Sequence, residues 1–69
     1  MRLDLHGIKH KDVQNLVTDN LFAYPTPIYI ITGNSSEMQR LVIEVLDKYE
    51  CKYYIPANNL GQIIVTENV

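Results

Sequence analysis

Leu3 and Leu5 alternate with Arg2, Asp4 and His6 at the start of the chain. That is the period of two expected of a strand with one face turned to a core. Gly7 follows at once, where a strand can break into a turn. From about Lys9 to Phe22 the pattern changes, and Val13, Leu16, Val17 and Leu21 mark one face of a helix. Asp12 near its start suits the positive end of the helix dipole. No strong N-cap residue precedes it, so Lys9 or His10 has to serve. Ala23-Tyr24-Pro25-Thr26-Pro27 ends this helix, because two prolines cannot continue it and bias their predecessors towards extended backbone.

Ile28-Tyr29-Ile30-Ile31-Thr32 is β-branched and aromatic almost throughout, which predicts a strand inside a sheet. Gly33-Asn34-Ser35-Ser36 breaks it and opens a second helix. Ser36 with Gln39 has capping-box spacing, Ser35 is an alternative cap, and Glu37 lies in the first turn. Met38, Leu41, Val42, Val45, Leu46 and Tyr49 form its apolar stripe. Two short β-rich runs follow, Lys52–Ile55 and Gln62–Thr66. The turn-forming segment between them, Pro56 to Gly61, predicts an antiparallel pair. The order is therefore β-α-β-α-β-β. One stripe per helix predicts an α/β two-layer sandwich, a mixed four-stranded sheet with both helices on one face. Leu3, Leu5 and Ile30 would face the helices and pack on Met38, Leu41, Val42, Val45, Leu46 and Leu16. The face bearing Asp4 and His6 would stay uncovered.

Composition narrows the class without naming a function. The 69 residues make one domain, 1–69, with an ordinary 46% of apolar residues and 20% of charged ones. A chain this short buries only ~60% of the surface it exposes when unfolded. Its single cysteine, Cys51, cannot form an internal disulfide, which predicts a reducing, cytoplasmic setting. The start of the chain is too polar for a signal peptide, and no run approaches the ~20 apolar residues of a membrane helix. The net charge of −2 argues against a broad electrostatic grip on nucleic acid. A local patch drawn from Arg2, Lys9, Lys11, Arg40, Lys48 and Lys52 remains open.

Candidate chemistry gathers at two loops. If the first two strands form a βαβ unit they run parallel, and their C-terminal ends share the sheet edge that ligands of open α/β sheets favour. Asp4-Leu5-His6-Gly7 lies there, with a carboxylate and an imidazole suited to proton transfer. Thr32-Gly33-Asn34-Ser35 lies there too, at the start of a helix whose amides suit an anion. Asp-x-His on a strand is also an ordinary solvated face, and Gly33 with Ser35 or Ser36 also an ordinary turn and cap.

Leu3-Asp4-Leu5-His6-Gly7, the helix, the strand closing in Ile30-Ile31-Thr32-Gly33, and the second helix together resemble the Smr (small MutS-related) domain over nearly the whole chain. That resemblance implies a fold like the C-terminal domain of bacterial translation initiation factor three. It also implies nicking of DNA or cleavage of RNA, with Asp4 and His6 as the catalytic positions. Gly7, Thr32, Gly33, Asn34 and Ser35 would hold the phosphate. Asp4 would alternatively bind a divalent cation, magnesium or manganese. The second motif departs from the family, since Thr32-Gly33-Asn34-Ser35 lacks its basic residue and its second glycine. Two other functions stay open. One is non-catalytic nucleic-acid binding, with Tyr29 or Tyr54 stacking on bases and Arg2 and Lys52 meeting phosphate. The other is a protein-interaction module using the open sheet face.

Overall fold

The computed structural model describes residues 1–68. Six elements follow the expected order: β1 (Arg2–Asp4), α1 (His10–Ala23), β2 (Ile28–Ile31), α2 (Ser36–Lys48), β3 (Lys52–Tyr54) and β4 (Gln62–Glu67). They form one four-stranded sheet in the order β1-β2-β4-β3. β1 runs parallel to β2, while β4 is antiparallel to both β2 and β3. The apolar run Ile28–Ile31 thus lies inside the sheet, as its composition requires. Among the described residues no helix is long and apolar enough to cross a membrane.

Alternation along the strands sorts the two faces. Leu3, Ile28, Ile30, Ile63 and Val65 are buried. They join Val13, Val17 and Leu21 of α1 and Met38, Val42, Val45 and Leu46 of α2 in one core cluster. Both helices therefore cover the same face. Arg2, Asp4, Tyr29 and Tyr54 remain exposed on the other. Leu16 and Leu41, expected among the deepest residues, are only half-buried against the rim of this core. Each lies at the margin of its stripe, one position from the valine at its centre, where a two-layer domain this small runs out of cover.

The helix ends show the local rules at work. Lys9 precedes α1 and makes no side-chain cap, as the sequence suggests. α2 is capped by Ser35, whose Oγ accepts the Met38 amide at 3.1 Å. Ser36, the capping-box candidate, is already the first helical residue. Gln39 accordingly turns its side chain outward, donating to the Leu60 carbonyl. At the far end of α2 the Glu50 amide donates to the Asp47 carbonyl and the Cys51 amide to that of Leu46. This is a Schellman closure, with Glu50 at φ 56° in the position that usually takes glycine. Glu50 is exposed, so Glu50→Gly should raise stability by about 0.5–1 kcal/mol, the left-handed penalty offsetting glycine's extra chain entropy. Urea unfolding followed by circular dichroism measures this, and an unchanged or lower midpoint would refute it.

Beyond α2 the chain is tied back at Tyr53, whose hydroxyl donates to Asp47 Oδ1 at 3.0 Å. Partial burial first, then that bond, raises the phenol's pKa above its ordinary value.

Candidate functional site

The parallel pairing of β1 with β2 sets Asp4 opposite Ile31, about one strand spacing of ~4.8 Å away. The Leu5 amide continues the pairing by donating to the Ile31 carbonyl at 3.0 Å. Both strands therefore end at the same edge, where the two loops begin.

The first motif is built differently from a strand end. β1 stops at Asp4, and Leu5-His6-Gly7-Ile8 forms a turn closed by the Ile8 amide on the Leu5 carbonyl at 3.0 Å. Gly7 has φ 80°, the value that the third position of a type II turn demands. His6 therefore sits in the turn rather than on the strand face it was expected to share with Arg2 and Asp4. Asp4 Oδ1 accepts the His6 amide at 2.9 Å, so the carboxylate shapes the turn that presents the imidazole. Leu5, fully buried, anchors the backbone between two exposed candidate side chains.

The second motif is more heavily engaged. Thr32 is buried, and its amide and the Gly33 amide both donate to the Gly61 carbonyl, at 2.8 and 3.0 Å. The Thr32 hydroxyl is shared between the Gly61 and Gly33 carbonyls, 3.2 Å from each. These donors cannot turn to a phosphate without leaving Gly61. Asn34 is exposed, and the half-buried Ser35 caps α2 while keeping its own hydroxyl proton to donate. The anion-binding capacity of this loop thus rests on Asn34, Ser35 and the first amides of α2, which have no intrahelical acceptor.

Gly61 is the residue the sequence did not single out. In the run Asn59-Leu60-Gly61 it reads as one turn former among several, and nothing nearby signals that its carbonyl reaches β2. A Cβ on Gly61 would lie 3.2 Å from the C, Cα and O atoms of Gly33. Gly33, at φ 68° and held by the same carbonyl, has little room to yield. Gly61→Ala should therefore cost about 1–3 kcal/mol, as overpacking does. A thermal melt within experimental error of the wild type would show that the loop yields freely.

Charge is dispersed over the domain rather than gathered at this edge. Arg40 is held between Glu37 and Glu44, at 2.5 and 2.6 Å. Its hydrogen bond draws the Glu37 carboxyl below its usual range. Arg40 therefore does not replace the cation missing from the second motif. Lys52 pairs with Glu67 at 3.6 Å, and Lys48 lies 5.4 Å from the centre of the Tyr49 ring. Lys9 and Lys11 line a shallow groove of about 480 Å³ beside α1, together with Asp12 and Asp19. Among the described residues no three His, Cys, Asp or Glu side chains gather as a metal-holding group. Asp4 offers a magnesium or manganese ion one carboxylate, so water and substrate phosphate would have to complete the shell.

The arrangement can bring a base and an acid to the sheet edge at which α2 also begins. No family model matches this chain, and neither the curated proteins nor the solved structures contain a match to it.

Proposed function

We propose that this domain is a nucleic-acid phosphodiesterase of the Smr type, a nicking endonuclease on DNA or a cleaver of RNA, acting at the edge formed by the ends of β1 and β2. One observation carries the reading. The β1–β2 pairing sets an exposed Asp4–His6 turn beside the loop that opens α2. In the hydrolytic step water attacks phosphorus and the bond to the leaving oxygen breaks. Asp4 takes the proton from the water, and His6 gives one to the leaving oxygen. The products are a phosphomonoester and a free hydroxyl. Ser35 and the first amides of α2 face the charge that builds on the phosphoryl oxygens. A divalent cation, where it takes part, would be held by Asp4 and would supply positive charge to stabilise the phosphoryl transition state.

Non-catalytic binding is the second reading, favoured by the engagement of Thr32 and Gly33 with Gly61. One experiment separates the two. Purified protein is incubated with supercoiled plasmid and with structured RNA, with and without magnesium or manganese. Cleavage that depends on Asp4 and His6 supports the enzyme. Salt-sensitive binding without cleavage supports the binder, and neither activity leaves protein docking.

A further inference from the structure

The strand register places Arg2 beside Tyr29, Tyr29 beside Ile64, and Ile64 beside Tyr54. The four residues form one row across the whole sheet, on the face the helices leave open. Tyr54 is half exposed and Tyr29 about a third, while Ile64 between them is partly covered. Successive strands lie ~4.8 Å apart, so the two rings stand on backbone positions roughly 10 Å apart and the row spans about 14 Å. Asp4, Ile31 and Gln62 form the next row on the same face.

We infer that this row is a platform for single-stranded nucleic acid, with one base on Tyr29, one on Tyr54 and a phosphate at Arg2.

The ring spacing and the charge beside it fit a strand of nucleotides. The paired part of the sheet is about four strands wide and three residues long, so its flat footprint is on the order of 14 by 10 Å. Two unstacked nucleotides fit the footprint and the ring spacing, and tyrosine accepts any base because every base has a π-face. A duplex does not fit, since its bases are stacked inside and cannot reach the rings. Arg2 supplies the charge: among the described residues its guanidinium makes no ion pair or hydrogen bond. It stands at the end of the row nearest Asp4, two residues along β1. A strand on the platform would therefore lead its backbone to the edge proposed for cleavage. The inference deepens that reading by naming an unpaired strand as the substrate class.

The test is fluorescence anisotropy with a labelled eight-nucleotide oligothymidine, an oligouridine of the same length, and a duplex of the same length. Both single strands should bind and the duplex should bind at least tenfold more weakly. Tyr29→Ala and Tyr54→Ala should each weaken binding at least about fivefold. Tyr29→Phe and Tyr54→Phe, which keep the ring and the fold, should change it less than twofold. Arg2→Gln should lower the salt slope by about 0.7, one phosphate contact on a single strand. Tyr24→Ala, an exposed tyrosine off the sheet, should have no effect. Duplex binding equal to single-strand binding, or tyrosine variants that fold and bind like the wild type, would overturn the platform. So would sedimentation showing a dimer that the tyrosine variants dissolve. Platform binding by the wild-type protein without any cleavage would sink the enzyme reading alone. Cleavage dependent on Asp4 but indifferent to both tyrosines would sink the platform alone.

Discussion

Asp4→Asn should lower phosphodiester cleavage about 10²–10⁴-fold, the usual contribution of positioned acid–base catalysis, and leave stability nearly unchanged. The substitution separates two roles that one carboxylate holds. As a turn former, Asp4 needs only an oxygen that accepts the His6 amide, now at 2.9 Å, and an asparagine oxygen accepts it equally. As a base or cation ligand it needs charge and basicity, which asparagine lacks. Asp4→Ala would confound the two by removing the cap as well. His6→Ala should cost a similar factor, because the amide that Asp4 holds belongs to the backbone and survives. If the pair acts as a unit, the double variant should fall little further than either single one. Lys48→Ala, remote on α2, should change the rate at most slightly. Plasmid nicking and RNA cleavage time courses, run beside thermal melts, measure all four. Well-folded variants that retain wild-type rates would assign the activity to another site or to a contaminant.

Why the architecture could be read from the residues follows from where its signals lie. α2 has a complete stripe from Met38 to Tyr49, a serine cap and an acid in the first turn, so propensity, period and capping agree. β2 is apolar throughout because it is an interior strand. Its position next to β1 follows from a short helical crossover, which makes the strands parallel. The details misjudged, or left unread, are those set by context. Leu16 and Leu41 match the helical period, but no third layer exists to bury them. Glu50 is a left-handed helix terminator that nothing in its chemistry advertises, since the Schellman bonds are made by the backbone.

The candidate site was legible to a lesser degree, for the same reason. Asp4 and His6 lie six and four residues before the first helix, and local rules place both near the strand end. The turn that takes His6 off the strand face needs only Gly7, whose significance is local too. Thr32 and Gly33 are different, because what occupies their donors comes from a loop 28 residues beyond Gly33, at Gly61. A hydrogen bond across that separation leaves no periodic trace. The open-face row is intermediate: each tyrosine is recognisable as strand-borne, but only the register of β4 between β2 and β3 brings both into line with Arg2.

Leu5→Ala should have the largest effect on stability, about 2–5 kcal/mol. Its side chain is fully buried in the core cluster. Removing three carbons there leaves a cavity that the sheet and helices can close only in part. Against roughly 3–10 kcal/mol for a domain of this length, that loss would unfold a large share of the molecules. Leu5→Met, which conserves volume, should cost less than about 1.5 kcal/mol. The consequence for function is specific to this position. Leu5 donates its amide to Ile31 and accepts from Ile8, so it fixes both the β1–β2 pairing and the turn that carries His6. A loosened anchor would shift Asp4 and His6 relative to the α2 loop, and a displacement of ~1 Å can cost ~10²-fold in rate. Cleavage by Leu5→Ala should therefore fall further than its folded fraction, measured at low temperature and corrected by urea titration. A loss in step with the folded fraction would mean that the edge holds its geometry without this anchor. A stability change below about 1 kcal/mol would mean that the core closes over the missing side chain.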